Sequence, residues 1–269
     1  MLYKFRDWGN NEHKKILTKN QIFFAQPSSF NDPFDCHIDE NFTILSELEI
    51  ENYIEEQIDF HVLENTFDIQ QEFRLRIFDL EFLNKKQNEN FKIQDKHIGV
   101  FSCNQDTENQ LGWQNILMWS HYANNHKGFC VGFDKEKTHN WLKSKHITGG
   151  PVYYDKYPEI KPVVPIAANK EKTKEYFKNT ISNKATNWNY ENEYRFVKIN
   201  IKNNFEIGLR IKDRIEELTA DCYVEVTLGL ETSLKHEKKI AKECRKRGIL
   251  LYKAVKIPFQ FGINRVQIL

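Results

Sequence analysis

The stretch Leu117–Asp134, LMWSHYANNHKGFCVGFD, limits what this chain can fold into more than any other. Its second half, Phe129-Cys130-Val131-Gly132-Phe133, is an unbroken apolar run of strand length and reads as a buried strand. Its first half carries Trp119, His121 and Tyr122 and reads as the end of a helix, Trp113–Ala123. Between them, Asn124-Asn125-His126-Lys127-Gly128 is a helix stop followed by a turn. Polar and aromatic groups therefore gather where a helix hands over to a strand, a common setting for a pocket.

The rest of the chain alternates between two periodicities. Leu2-Tyr3-Lys4-Phe5-Arg6 has the period of a strand, with Leu2, Lys4 and Arg6 on one face and Tyr3 and Phe5 on the other. Further strands are predicted at Gln21–Ala25, His97–Cys103, Val152–Tyr154, Phe205–Ile211, Cys222–Leu228 and Ile249–Ile257. Helices are predicted at Asn11–Lys19, Lys135–Lys145 behind an Asp134 cap, Asn169–Thr186, and Ser233–Lys246 with Gly248 at its end. Asp213–Leu218 reads as a helical turn. From 43 to 95 the apolar spacing is helical, with Leu45, Leu48, Ile54, Ile58 and Val62, then Phe67, Phe73, Ile77, Leu80 and Leu83. No Pro/Gly/Ser-rich linker borders that segment, so it reads as a helical insertion within a single domain spanning 1–269. The pattern predicts an α+β fold with a mostly antiparallel central sheet.

Charge balance singles out no partner, although local basic clusters could still bind phosphate. The formal net charge is +1, which gives no global electrostatic case for nucleic acid or an anionic membrane. The Lys/Arg-rich 233–246 helix reads as a solvated face. No stretch approaches the roughly 20 apolar residues a spanning helix needs, so no membrane association is expected. Five scattered cysteines without a CxxC pair argue against a disulfide framework or a Cys-rich zinc site and point to a reducing, cytoplasmic setting.

Two more stretches bear on chemistry. Pro27–Asp35 (PSSFNDPFD) is rich in turn formers, with Asn31 and Asp32 able to shape the loop or to meet a ligand. Asp32 and Asp35 are alternatively metal ligands, although turn roles suit them better. Trp188–Ile199 (WNYENEYRFVKI) sets Glu191, Glu193 and Arg195 two residues apart as a strand begins, a spacing that puts them on one face of an extended chain. The three form either a cross-strand charge pair or a carboxylate pair aimed into a cleft.

LYKFR, FFAQPSSFNDPFDC, VFSC, LMWSHYANNHKGFCVGFD, WNYENEYRF and VTLG, in that order, resemble the bacterial domain-of-unknown-function family 2971. More weakly, the chain resembles ADP-ribosyltransferase-type domains. These carry an arginine on the first strand, a serine on a middle strand and an E-x-E glutamate pair before a late strand, on a split β-sheet. That resemblance implies a central, mostly antiparallel split sheet and NAD as substrate, with no metal. It implies that Glu193 stabilises positive charge on the ribose and that Glu191 orients or deprotonates the acceptor. Arg6 would grip a pyrophosphate oxygen and Ser102 the ribose or nicotinamide. Tyr122 or Trp119 would stack on nicotinamide, and His121 would bond phosphate or act as an acid–base. Asn31, Asp32 and Arg195 would contact the substrate. The acceptor stays open between protein, nucleic acid and water. Two departures are plain: the middle strand reads FSC rather than serine-threonine-serine, and no Gly-rich phosphate loop is present. Two other classes remain. One is a nuclease whose Asp32, Asp35, Glu191 and Glu193 hold Mg²⁺. The other is a module that binds a nucleotide without turnover.

Overall fold

The computed structural model describes residues 1–59, 61–154, 157–162, 170–200 and 207–269. Phe129–Phe133 (β4) is buried at every position, as an all-apolar strand requires. It pairs with Leu2–Arg6 (β1) on one side and Tyr223–Leu228 (β8) on the other, both antiparallel. Beyond β1 come Ile98–Gln105 (β3), Glu193–Ile199 (β6) and Thr148–Pro151 (β5). Beyond β8 come Leu250–Lys256 (β9) and Ile263–Gln267 (β10), which completes an eight-stranded sheet. All of its pairings are antiparallel except β8 with β9. These two are joined by the helix Leu234–Arg247 (α8), as a parallel pair needs a crossover. A separate two-stranded ribbon joins Gln21–Phe23 (β2) to Ile215–Glu217 (β7). The α+β class and the mostly antiparallel sheet stand as expected.

The pairing of β1 with β3 positions everything that follows. It runs only through Leu2 with Gln105 and Tyr3 with Asn104, after which the strands part. The other neighbour of β3, β6, stays in register over seven pairs, from Ile98 with Ile199 to Asn104 with Glu193. The sheet is thus forked between β1 and β3.

Both faces are covered. On one face Leu2, Phe101, Phe129, Phe133, Phe196 and Val226 pack with Asn11–Thr18 (α1), Lys135–Ser144 (α6) and α8. On the other, Tyr3, Phe5 and Cys130 pack with Trp113 and with Met118 and Trp119 of the helix Ile116–Tyr122 (α5). Phe177 and Ile181 of Lys170–Ile181 (α7) cover Ile98 and Val100 further along the sheet. The helical insertion consists of Glu47–Asp59 (α2), Phe67–Arg76 (α3) and Leu80–His97 (α4), around a small core of Phe42, Ile50, Tyr53, Ile54 and Ile77.

Local chemistry accounts for the boundaries. Asp134 Oδ1 accepts from Lys137 N at 3.0 Å and caps α6. Ser233 Oγ caps α8 through His236 N, and Gly248 ends that helix at φ 64°. Between α5 and β4, Asn124, Asn125 and His126 all take positive φ, and Gly128 N closes the turn on Ala123 O at 2.8 Å. Gly128 is obligatory there, because a Cβ would stand 2.1 Å from the carbonyl of Arg6 on β1.

Several expectations are corrected. Ile215–Glu217 is strand β7, preceded by a 3₁₀ turn at Ile211–Arg214, where a helical turn was expected. Its partner β2 lies far away in sequence, beyond the reach of local pattern. The chain does not close on Ile257: Pro258 to Gly262 turn it into β10. In the insertion, Leu48, Val62, Phe67 and Leu80 are exposed rather than packed. Helix 113–123 splits into a 3₁₀ turn at Gly112–Gln114 and α5, because Asn115 Oδ1 caps Leu117 N and Met118 N. Of the strand expected at Phe205–Ile211, residues 205 and 206 lie outside the described residues, and 207–210 form no strand. Asn169, the first residue of an expected helix, also lies outside them. No helix among the described residues is long and apolar enough to cross a membrane. All five cysteines are buried and unpaired.

Candidate functional site

The fork between β1 and β3 holds a cavity of about 230 Å³. Lys4 and Arg6 line it from β1, Val100, Ser102 and Asn104 from β3, and Ser29, Phe30 and Asn31 from the Pro27–Asp35 loop. Met118 and Tyr122 of α5, together with Lys184, Glu191 and Glu193, complete the wall. In a continuous sheet, the pleat would send Lys4 and Arg6 to the opposite face from Tyr3, whose row continues through Asn104 to Glu193. The fork removes that separation. Lys4 Nζ crosses the gap and donates to the Ser102 carbonyl.

On the other side is a dense buried ion network. Lys184 Nζ lies 2.5 Å from Glu191 Oε2, 2.6 Å from Glu193 Oε1 and 3.2 Å from Asp35 Oδ2. Arg195 Nε meets Glu193 Oε2 at 2.7 Å, and its Nη2 meets Asp35 Oδ2 at 2.7 Å. Arg195 Nη1 donates to the Ile181 carbonyl at 2.6 Å. Three carboxylates thus share two cations, with every side chain almost wholly out of water. Tyr122 Oη donates to the remaining oxygen of Glu191, Oε1, at 2.5 Å. The Glu193 amide donates to Tyr154 Oη at 2.8 Å.

Glu191 reaches this network by a route that differs from the strand spacing. It closes the 3₁₀ turn Thr186–Glu191, and Asn192 then takes a left-handed conformation at φ 40° before β6 begins. Asparagine side chains pin the turn. Asn104 Nδ2 donates to the Glu191 carbonyl at 2.6 Å, and Asn115 Nδ2 to the Tyr190 carbonyl at 2.5 Å. Asn192 Nδ2 donates to the Gln105 carbonyl at 2.9 Å. The two glutamates therefore converge through Lys184 and not through a shared strand face.

Their protonation differs. Burial, reinforced by hydrogen bonding to Glu193, raises Glu191 to about 7. Burial is the largest influence on Glu193 and acts in the same sense, but the charge and hydrogen bond of Arg195, the hydrogen bond with Glu191 and the charge of Lys184 together outweigh it and hold Glu193 well below the carboxylate range. Lys184 is pushed above its ordinary value despite burial, because Glu193, Asp35 and Glu191 surround it. The site thus joins one firmly ionised carboxylate to one able to exchange a proton near neutrality. Across the fork, burial and the charge of Arg6 lower Lys4 to about 7, and burial lowers Arg6 to about 10.

Of the residues nominated from sequence, Glu191, Glu193, Arg6, Ser102, Tyr122 and Asn31 line the cavity. Four do not. Trp119 is fully buried, stands edge-on to Phe5 with ring centres 5.0 Å apart, and donates Nε1 to the Trp113 carbonyl at 2.7 Å. It is a core residue, since its large apolar surface outweighs any gain from the cavity wall. His121 is exposed and lies beside Tyr122 and Tyr190. Asp32 shapes its turn, with Oδ1 accepting from Phe34 N at 3.0 Å. Arg195 lies behind Glu193 and orients it. Lys184 was not singled out from sequence, because an isolated lysine in SNKAT carries no spacing signal. Among the described residues no group of three or more His, Cys, Asp and Glu is arranged to hold a metal ion. Lys184 and Arg195 already occupy the space between Asp35, Glu191 and Glu193.

No curated protein and no solved structure matches the chain. Residues 118–196, from Met118 of α5 to Phe196 of β6, match the model of the family described as "Protein of unknown function (DUF2971)". That span supplies Tyr122, Lys184, Glu191, Glu193 and Arg195, while Lys4, Arg6 and Ser102 lie before it. The chain is thus similar, over the segment that builds the carboxylate side of the cavity, to the DUF2971 family that its sequence blocks resemble.

Proposed function

We propose that the forked cavity binds NAD and cleaves its nicotinamide–ribose bond, as an ADP-ribosyltransferase or NAD glycohydrolase would. One observation carries the reading: Arg6, Ser102 and Glu193, from three strands far apart in sequence, line one cavity. In this reading the C–N bond breaks with its electron pair leaving on nicotinamide. Positive charge builds on the ribose, and the ionised Glu193 stabilises it. Glu191, with a pKa of about 7, takes the proton of the attacking acceptor hydroxyl as its oxygen bonds to the ribose carbon. Arg6 meets the pyrophosphate as a charged fork, and Ser102 hydrogen-bonds the ribose. The cavity, at about 230 Å³, falls just below the range of roughly 300–1,000 Å³ for small-molecule sites. It therefore suits the reacting part of the dinucleotide, with the remainder outside. A nuclease reading has less support, since Lys184 and Arg195 already answer the carboxylates a divalent ion would need.

The test is incubation with NAD⁺, following released nicotinamide for the wild type, Glu193→Gln and Glu191→Gln, with each variant's fold checked by circular dichroism. Release by the wild type and its loss in folded Glu193→Gln support the reading. No release in water, or in the presence of protein or nucleic-acid acceptors, overturns it. Binding of NAD without release would leave a nucleotide-binding module.

A further inference from the structure

The β1 side of the cavity carries two basic side chains whose hydrogen bonds, among the described residues, go to carbonyls, while Glu191 and Glu193 act on Lys4 only from across the cavity. Lys4 Nζ bonds a backbone carbonyl, that of Ser102, and Arg6 Nη1 makes a long contact of 3.5 Å to the Phe5 carbonyl. Among the described residues neither has a carboxylate in salt-bridge range. This contrasts with Lys184 and Arg195 across the cavity, which share three. Lys4 and Arg6 are half-buried; charge drawn partly out of water without a counter-ion is costly, and a fold that keeps two such groups on one wall gains by receiving an anion. The opposite wall presents Glu191 and Glu193, which suit hydroxyl donors rather than anions. The cavity is therefore polarised, cationic on β1 and acidic towards β6.

We propose that Lys4 and Arg6 together form a phosphate site, so that the cavity takes a phosphorylated sugar with its phosphate on β1 and its hydroxyls towards Glu191. This deepens the reading above by naming a second phosphate-binding residue, but it stands without turnover. The groups facing Lys4 are Arg6 on its own strand, Cys103 on β3, Glu191 and Glu193 across the cavity, and His13 on α1. Burial and the charge of Arg6 hold His13 down at about 4, so it adds no third cation near neutral pH. In the empty cavity the Lys4 amine is only partly protonated near pH 7. An entering phosphate favours the ammonium form, so binding takes up a proton, and affinity falls as pH rises above 7. Arg6 stays charged throughout that range.

The probe is inorganic pyrophosphate, titrated into the full chain by calorimetry in buffers of differing ionisation enthalpy. Pyrophosphate itself ionises in this range, so the readout is the difference from Lys4→Met: at about pH 8 the wild type is expected to take up close to one proton more per pyrophosphate than the variant, and at about pH 5.5 nearly the same number. Lys4→Met weakens binding by about tenfold or more at pH 6.5, while Lys4→Arg keeps binding without the extra uptake. Lys4→Met removes a half-buried charge, so it is expected to fold; thermal unfolding checks this, and Arg6→Met provides a second variant. No pyrophosphate binding by the wild type, or unchanged binding in folded Lys4→Met, overturns the proposal. Pyrophosphate binding with the extra proton uptake but without nicotinamide release upholds the phosphate site and removes the transferase reading. Nicotinamide release that is indifferent to Lys4 does the reverse.

Discussion

The ammonium of Lys184 stands 2.6 Å from Glu193 Oε1, and both side chains are at most 5 % exposed. That contact holds together a network in which Asp35, Glu191 and Glu193 are each bound to Lys184 or Arg195 or both. Removing one partner of a buried ion pair strands the others. Lys184→Met is therefore expected to destabilise the fold by about 3–5 kcal/mol, measured by urea denaturation. A loss below about 1 kcal/mol would mean that water reaches the carboxylates.

Glu191 imposes a pH dependence whose sign follows from burial. Its pKa is raised from 4.5 to about 7, so between those values the folded protein holds a proton that the unfolded chain has released. Unfolding free energy therefore falls as pH rises through that window. In Glu191→Gln the slope there should shrink by about one proton, as read from denaturation curves at several pH values.

Lys4 acts in the opposite sense at higher pH. Its pKa is lowered from 10.5 to about 7, so the unfolded chain holds more protons between these values. Its contribution makes the fold more stable as pH rises from 7 towards 10.5. Lys4→Met should flatten that part of the stability profile. An unchanged slope would mean that the amine is solvated.

Tyr122 donates to Glu191, and a donor stabilises the ionised form. Tyr122→Phe should raise the Glu191 pKa further, visible in the carboxyl carbon shift by NMR, and cost about 1 kcal/mol of stability. A downward shift would contradict the assigned hydrogen bond.

Trp119 and His121 are neighbours in sequence with opposite fates. Trp119→Ala should cost about 3–5 kcal/mol through the cavity left against Phe5, whereas His121→Ala should stay within about 0.5 kcal/mol. Thermal unfolding of the two variants separates them.

What could be read from the sequence was local. The all-apolar run of β4, the Asp134 and Ser233 caps, and Gly248 each follow from nearest neighbours along the chain. Arg6, Ser102 and Glu193 were nominated through the resemblance to ADP-ribosyltransferase-type domains, with their strand positions as the local support. Lys184 was not, because its significance lies in Asp35, which is distant in sequence and close in space. The density of rings around Trp119 looked like a binding surface, yet the same density is what a core requires. Strand β10 carries little sequence signal, because the only apolar residues of Ile263–Gln267 are Ile263 and Val266, which do not have the two-residue spacing of a strand face.

The short ladder between β1 and β3 has a mechanical meaning. Two residue pairs are all that this pairing contributes, while β4 holds β1 over five pairs and β6 holds β3 over seven. The sheet therefore behaves as two firm plates joined by a seam, with the cavity lying along it. An occupant that touches Lys4 on one plate and Glu193 on the other would act as a staple, and its binding would register most strongly in slowed amide exchange where the plates meet.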